Sequence, residues 1–237
     1  IRTIDISDTG QYTCEATNHL GSSNKSIYVY VNEKPQIDKP DEKINVVKGA
    51  DVQLTCRILR GTPKPTMQWN YQNKAKNLKE LEEINEALLL KNVTVDDEGK
   101  YTCNASNIVG SQSYTIDVIV EYLPTIKEDG IKMIETKDSV EVTLPCNVDG
   151  LPTPTVRWLR NGTILHSSKN ILTTSDFSLK IRRIDVSDTG SYTCEAENHL
   201  GSTNKSIDVL VFDKPVIEKP VEKIRAVKGT DVQLTCR

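Results

Sequence analysis

The chain lacks any apolar stretch able to cross a bilayer as a helix. Runs such as Leu88-Leu89-Leu90 and Val118-Ile119-Val120 fall far short of the ~18 residues that such a span needs. It also lacks a dominant charge, since 30 Lys plus Arg stand against 33 Asp plus Glu for a net charge of -3. No positive field awaits a polyanion, which excludes nucleic acid as an expected partner. The chain opens on Ile1-Arg2-Thr3 and shows no charged segment leading into an apolar one, so no targeting signal is legible. No Cys/His dyad, GxSxG elbow or phosphate-cradling glycine loop is present, so catalysis, a cofactor and a small-molecule substrate have no support. What is present is 37% hydrophobic residues over 237 positions, enough to pack cores and, by length alone, suggesting one or two domains.

The six cysteines, Cys14, Cys56, Cys103, Cys146, Cys194 and Cys236, are too sparse for a miniature disulfide scaffold and are not grouped as CxxC zinc ligands. Their intervals are 42, 47, 43, 48 and 42 residues, and neighbouring intervals sum to 89, 90, 91 and 90. That is a repeat period, and a period decides the architecture before any local pattern does. Residues 1 to 57 overlay residues 181 to 237 without a gap, with 15 differences and hence 42 identities in 57. Overlays half as far apart share only landmark residues. Two domain types therefore alternate, and the pair was copied as a block.

The differences follow the two faces of a strand. In Tyr12-Thr13-Cys14-Glu15-Ala16-Thr17, alternate residues point to opposite sides. Tyr12, Cys14 and Ala16 share one side and recur as Tyr192, Cys194 and Ala196, whereas Gln11 becomes Ser191 and Thr17 becomes Glu197. Ile27, Val29 and Val31 likewise persist as Ile207, Val209 and Val211, while Tyr28 and Tyr30 become Asp208 and Leu210. One face is packed and the other wet, as in antiparallel sheets. Period-two runs bounded by Gly, Pro, Asn and Asp recur about every 8 to 12 residues, which reads as all-β sandwiches.

Several motifs sharpen this. Trp69 follows Cys56 by 13 residues and Trp158 follows Cys146 by 12. Asp-x-Gly-x-Tyr-x-Cys occurs as Asp8-Gly10-Tyr12-Cys14, Asp97-Gly99-Tyr101-Cys103 and Asp188-Gly190-Tyr192-Cys194. Gly61-Thr62-Pro63-Lys64-Pro65 and Gly150-Leu151-Pro152-Thr153-Pro154 precede the tryptophans, and Asn18-x-x-Gly21, Asn107-x-x-Gly110 and Asn198-x-x-Gly201 mark a hairpin. With these marks the chain resembles the immunoglobulin superfamily, specifically its I-set, over essentially every residue. The resemblance is to arrays of the hemicentin type and to neural adhesion molecules.

The resemblance implies tandem β-sandwiches in an extended, semi-rigid rod. Its domains would be a closing fragment (1-33), two complete domains (34-121 and 122-212) and an opening fragment (213-237), joined near Lys34-Pro35, Leu123-Pro124 and Lys214-Pro215. It implies core roles for Trp69, Trp158, Tyr12, Tyr101 and Tyr192, with each Tyr making a corner hydrogen bond. It implies disulfides Cys56 to Cys103 and Cys146 to Cys194, against the alternative of reduced, buried thiols in a cytosolic array. Cys14 and Cys236 would then need partners beyond the chain, and residues 1-33 and 213-237 would pack poorly alone.

Two stretches depart from the pattern. Pro145, one residue before Cys146, removes a ladder donor and predicts a local strand break. Residues 74 to 88 carry Leu78, Leu81 and Leu88 at partly helical spacing, so they are either an amphipathic helix or the ordinary connection between strands.

Five Asn-x-Ser/Thr sequons, at Asn24, Asn92, Asn104, Asn161 and Asn204, are glycan acceptors if the chain is secreted. His19 and His199 occupy one repeated turn position, and Glu80, Glu82, Glu83 and Glu86 read as a solvated face, lacking the spaced ligands of a calcium loop. Arg157 and Arg160 flank Trp158, either covering the sheet or meeting a partner. The function these readings imply is extracellular adhesion through protein partners, homophilic contact and axon guidance among them. The alternatives are a structural array inside muscle and the ectodomain of a receptor whose enzyme lies elsewhere.

Overall fold

A computed structural model describes residues 3–39, 42–73, 82–84, 87–214 and 225–233. Two compact units divide the chain, Ile1–Tyr122 and Leu123–Arg237.

Unit 1 opens with a hairpin of β1 (Gly10–Asn18) and β2 (Gly21–Val29), paired from Gly10↔Val29 to Asn18↔Gly21. A two-stranded ribbon buries little by itself, and accordingly Tyr12 is 39% exposed where its counterpart Tyr192 is 0%. Tyr12 is therefore not a core residue here, because no second sheet faces this hairpin among the described residues.

The unit continues with β3 (Glu33–Ile37), β4 (Lys43–Val47), β5 (Val52–Thr55), β6 (Ile58–Thr62), β7 (Thr66–Asn73), β8 (Glu82–Ile84), β9 (Ala87–Leu90), β10 (Gly99–Asn107) and β11 (Gly110–Ile126). One sheet runs β11-β10-β7, with β4 parallel to β11; the facing sheet runs β5-β9-β8, and β3 pairs with β6. Alternation along β10 sends Tyr101, Cys103 and Ala105 into the core with Leu54, Val93 and Val118.

Unit 2 repeats the plan with β12 (Met133–Lys137), β13 (Val142–Leu144), β14 (Val148–Leu151), β15 (Thr155–Arg160), β16 (Thr163–Ile164), β17 (Ile171–Thr173), β18 (Leu179–Ile181), β19 (Gly190–Asn198) and β20 (Gly201–Phe212). The sheet β12-β20-β19-β15-β16 faces β13-β18-β17, and β14 pairs with the end of β11. Its core holds Leu144, Trp158, Leu179, Ile184, Tyr192 and Ile207. The outcome is all-β, as the period-two pattern requires.

The break at Pro145 is present, between β13 and β14. Unit 1 breaks at the same point without a proline, between β5 and β6. There the strand leaves one sheet partner for another, and with the proline's N–H missing β13 is one residue shorter than β5. Of the ambiguous stretch 74 to 88, Glu82–Ile84 and Ala87 onward are antiparallel strands paired Glu82↔Leu89 to Ile84↔Ala87. The rest of that stretch lies outside the described residues.

Candidate interaction face

Three local devices hold the framework on which any face is displayed. Before each second-cysteine strand, a 3-10 turn (Ile6–Asp8, Val95–Asp97 and Val186–Asp188) closes on its last Asp. The carboxylates of Asp8, Asp97 and Asp188 accept from the backbone N–H of Asp5, Thr94 and Asp185 at 2.9, 2.8 and 3.0 Å. Their carbonyls accept from the hydroxyls of Tyr12, Tyr101 and Tyr192 at 3.0, 2.7 and 2.8 Å. One Asp thus caps a turn with its side chain and anchors a Tyr with its backbone.

Second, Cys56 and Cys103 are disulfide-bonded across the sheets with Cα atoms 6.2 Å apart, as are Cys146 and Cys194 at 6.4 Å. Trp69 and Trp158 are buried in the same cores, and Trp158 Nε1 donates to the Phe177 carbonyl at 2.9 Å. Cys14 is exposed and unbonded, and Cys236 lies outside the described residues.

Third, the Asn-x-x-Gly hairpins are tied to distant chain. Asn107 accepts from the Val109 N–H at 2.9 Å through Oδ1 and donates through Nδ2 to the carbonyls of Glu33 at 2.7 Å and Pro63 at 3.0 Å. Asn198 repeats this with Leu200 and Pro152. A Cβ on Gly61 would lie 2.6 Å from Pro65 Cγ and 3.2 Å from Pro35 Cα; on Gly150 it would lie 2.8 Å from Pro154 Cγ and 3.1 Å from Pro124 Cα. The glycines of the Gly-x-Pro-x-Pro motifs therefore let the loop approach the first strand of each sandwich. The sequence marks these motifs but not the distant chain they meet, from 26 residues away for Gly61 and Pro35 to 74 for Asn107 and Glu33.

These devices leave the outer face of the β7-β10-β11 sheet turned to solvent in unit 1. Its rows follow the register: Gln68, Asn104 and Ser113; Asn70, Thr102 and Thr115; Gln72, Lys100 and Asp117. Amides and hydroxyls dominate it, and Thr102 bonds Thr115 across the strands at 2.8 Å. In unit 2 the corresponding row is Arg157, Glu195 and Asn204. Arg157 donates to Glu195 at 2.8 Å, which holds the Glu195 carboxyl below its usual pKa range. Arg160 pairs with Asp188 at 2.5 Å, and its guanidinium is held above its usual pKa chiefly by its hydrogen bond with Tyr192. Both arginines thus serve the sheet that carries them.

Nothing in this arrangement converges as reactive chemistry. A hollow of about 360 Å³ beside β11 mixes Lys39, Glu42, Lys100 and Asp117 with hydroxyls and contains no histidine or cysteine. No group of three or more His, Cys, Asp or Glu among the described residues is placed to hold a metal ion. The sequons divide by position: Asn24, Asn104 and Asn204 lie on strands, whereas Asn92 and Asn161 occupy turns with φ of 47° and 49°.

Comparison with known proteins matches residues 125–211 to the immunoglobulin I-set domain and residues 34–107 to an immunoglobulin domain. Hemicentin-1 of Mus musculus is 30% identical over 250 residues, covering 100% of this chain and 4% of that protein. Neural cell adhesion molecule 1 of Gallus gallus is 29% identical over 230 residues, covering 91% of this chain and 21% of that protein. The I-band fragment I67-I69 from titin superposes with a TM-score of 0.65 at 27% identity, covering 88% of this chain and 76% of that one. The chain thus spans only a small part of hemicentin-1 and of the neural cell adhesion molecule.

Proposed function

The chain belongs to the immunoglobulin superfamily, and on that premise we propose that it is part of an extracellular adhesion or matrix protein that binds other proteins and performs no catalysis. The observation that carries this reading is the pair of inter-sheet disulfides, Cys56 to Cys103 and Cys146 to Cys194. Such bonds form and persist in oxidising compartments and are rare in the cytosol. Relatedness to a neural cell adhesion molecule supports the adhesive role. Repetition supplies the physical means, because linked domains add weak contacts through effective concentration. Homophilic contact between copies is the form of adhesion this reading favours.

The titin likeness favours a second reading, a structural array inside the cell. The two differ in a measurable way. Non-reducing peptide mapping of the protein from its natural source is expected to return the Cys56 and Cys103 peptides as one disulfide-linked species. Free thiols at all four positions would select the intracellular array and end the adhesion reading.

A further inference from the structure

In a strand, Asn-x-Ser places the Asn and Ser side chains on one face and the middle residue on the other. The three strand-borne sequons all have the same phase. Their middle residues are Lys25, Ala105 and Lys205, and in the two closed sandwiches Ala105 and Lys205 are buried. The asparagines therefore stand on the solvent side of the sheet that bears the second cysteine: Asn24 opposite Glu15, Asn104 between Gln68 and Ser113, and Asn204 opposite Glu195. Ser26 and Ser206, their sequon hydroxyls, stay on this face too, bonded to Thr13 and Thr193 at 2.7 and 2.8 Å.

The turn sequons differ. Asn161 accepts from the Ser191 N–H at 2.9 Å, and its amide lies 2.8 Å from where a Cβ on Gly190 would sit. That side chain packs against β19 and does not project from the sheet. Asn92 lies in the turn after β9, held through its own N–H by Asp51 at 2.7 Å. Neither belongs to the face in question.

We propose that Asn24, Asn104 and Asn204 carry N-linked glycans, so that successive repeats present carbohydrate on one equivalent sheet face and that face is closed to close protein docking. Period two is what sets this pattern: in the two closed sandwiches, moving the Asn one residue on, to the place of Ala105 or Lys205, would bury it and abolish the site. Asn104 sits on the central strand of its sheet, so a bulky, solvated oligosaccharide there overhangs the rows on both sides. The sheets β5-β9-β8 and β13-β18-β17 carry no sequon asparagine.

This proposal rests on the extracellular reading, and one digest separates the two. The protein from its natural source is digested without reduction, treated with peptide N-glycosidase F in ¹⁸O water and mapped by mass spectrometry. The expected result is linked cysteine peptides together with ¹⁸O-labelled Asp at positions 24, 104 and 204 in most molecules. Linked cysteines with Asn104 or Asn204 unlabelled would overturn the glycan face and leave the extracellular reading standing. Free thiols at all four cysteines, with no label, would overturn both.

Discussion

Lys205, pointing inward from β20 with 8% of its surface exposed, donates its ammonium to Asp129, 76 residues earlier in the chain. In the register it stands opposite Cys194, the slot that Tyr114 fills opposite Cys103 in unit 1. The alternating domains therefore fill one core-edge position by different physics, an aromatic ring in one and an ion pair in the other. Asp129 also accepts from the Ile131 N–H at 2.9 Å, and the Lys205 hydrogen bond is the largest cause holding its carboxyl below the usual pKa range. A carboxyl with a depressed folded pKa contributes stability that is present above its unfolded value and lost as pH falls through the folded one. Asp129→Asn is expected to destabilise unit 2 at neutral pH by about 2 kcal/mol, since it strands a buried cation. It should also flatten the loss of stability below pH ~4. Urea unfolding at pH 7 and pH 3 measures both, and an equal decrement at the two pH values would contradict the assignment.

How much of this was legible beforehand depends on the distance over which each feature acts. Face assignment for Tyr192, Cys194 and Ala196 needed only period two, and all three are buried. The all-β fold followed from the same local evidence. Lys205 was not legible as buried, because a lysine in a polar stretch gives no sign of the Asp129 that neutralises it. Tyr12 has the same motif as Tyr192 yet is exposed, because burial depends on a facing sheet and not on the strand's own sequence. The amide bonds of Asn107 were likewise hidden, since their acceptors are backbone carbonyls, which every residue has.

Asn107→Ala removes two donors and one acceptor at the point where hairpin, loop and first strand of unit 1 meet. A destabilisation of about 1–3 kcal/mol is expected because the Glu33 carbonyl loses its partner in a half-buried site. Asn107→Asp keeps the Oδ1 acceptor and loses the donors, so it should recover little. Hydrogen exchange would locate the effect in β3 and in the hairpin of β10 and β11. Full rescue by the Asp variant would show that the turn, and not the long-range clamp, matters.

Gly61→Ala tests the close approach. Its Cβ would press on Pro65 and on the Pro35 backbone, and the φ of 152° is itself poor for an L residue. Overpacking and backbone strain together are expected to cost about 2–4 kcal/mol. Thermal unfolding of the chain followed by circular dichroism reads the change, and an unaltered midpoint would mean the loop relaxes freely away from β3.

Reducing the disulfides should destabilise each sandwich by about 4 kcal/mol on the loop-entropy account, since the bonds close separations of 47 and 48 residues. Denaturant titration with and without reductant measures it. A loss below ~1 kcal/mol would mean that the sandwiches hold without their bonds, as an array built for a reducing compartment must.

Tyr101 supplies an alkaline counterpart to Asp129. Its hydroxyl is pushed up to about 12, first by burial and then by the Asp97 carboxylate and Tyr71. A group whose folded pKa is raised adds stability that is complete below the unfolded value, near 10, and falls as pH climbs toward the folded one. Wild-type stability is therefore expected to drop between pH 10 and 12, and Tyr101→Phe should lessen that drop. At neutral pH the same variant loses the bond to the Asp97 carbonyl, at a cost of about 1 kcal/mol. Tyr12→Phe removes the same bond from an exposed ring and should change little. The comparison isolates burial as the cause, because both tyrosines share the Asp-x-Gly-x-Tyr geometry and differ in what covers them. Guanidinium unfolding of both variants across this range provides the measurement, and parallel curves for Tyr101→Phe and wild type would refute it.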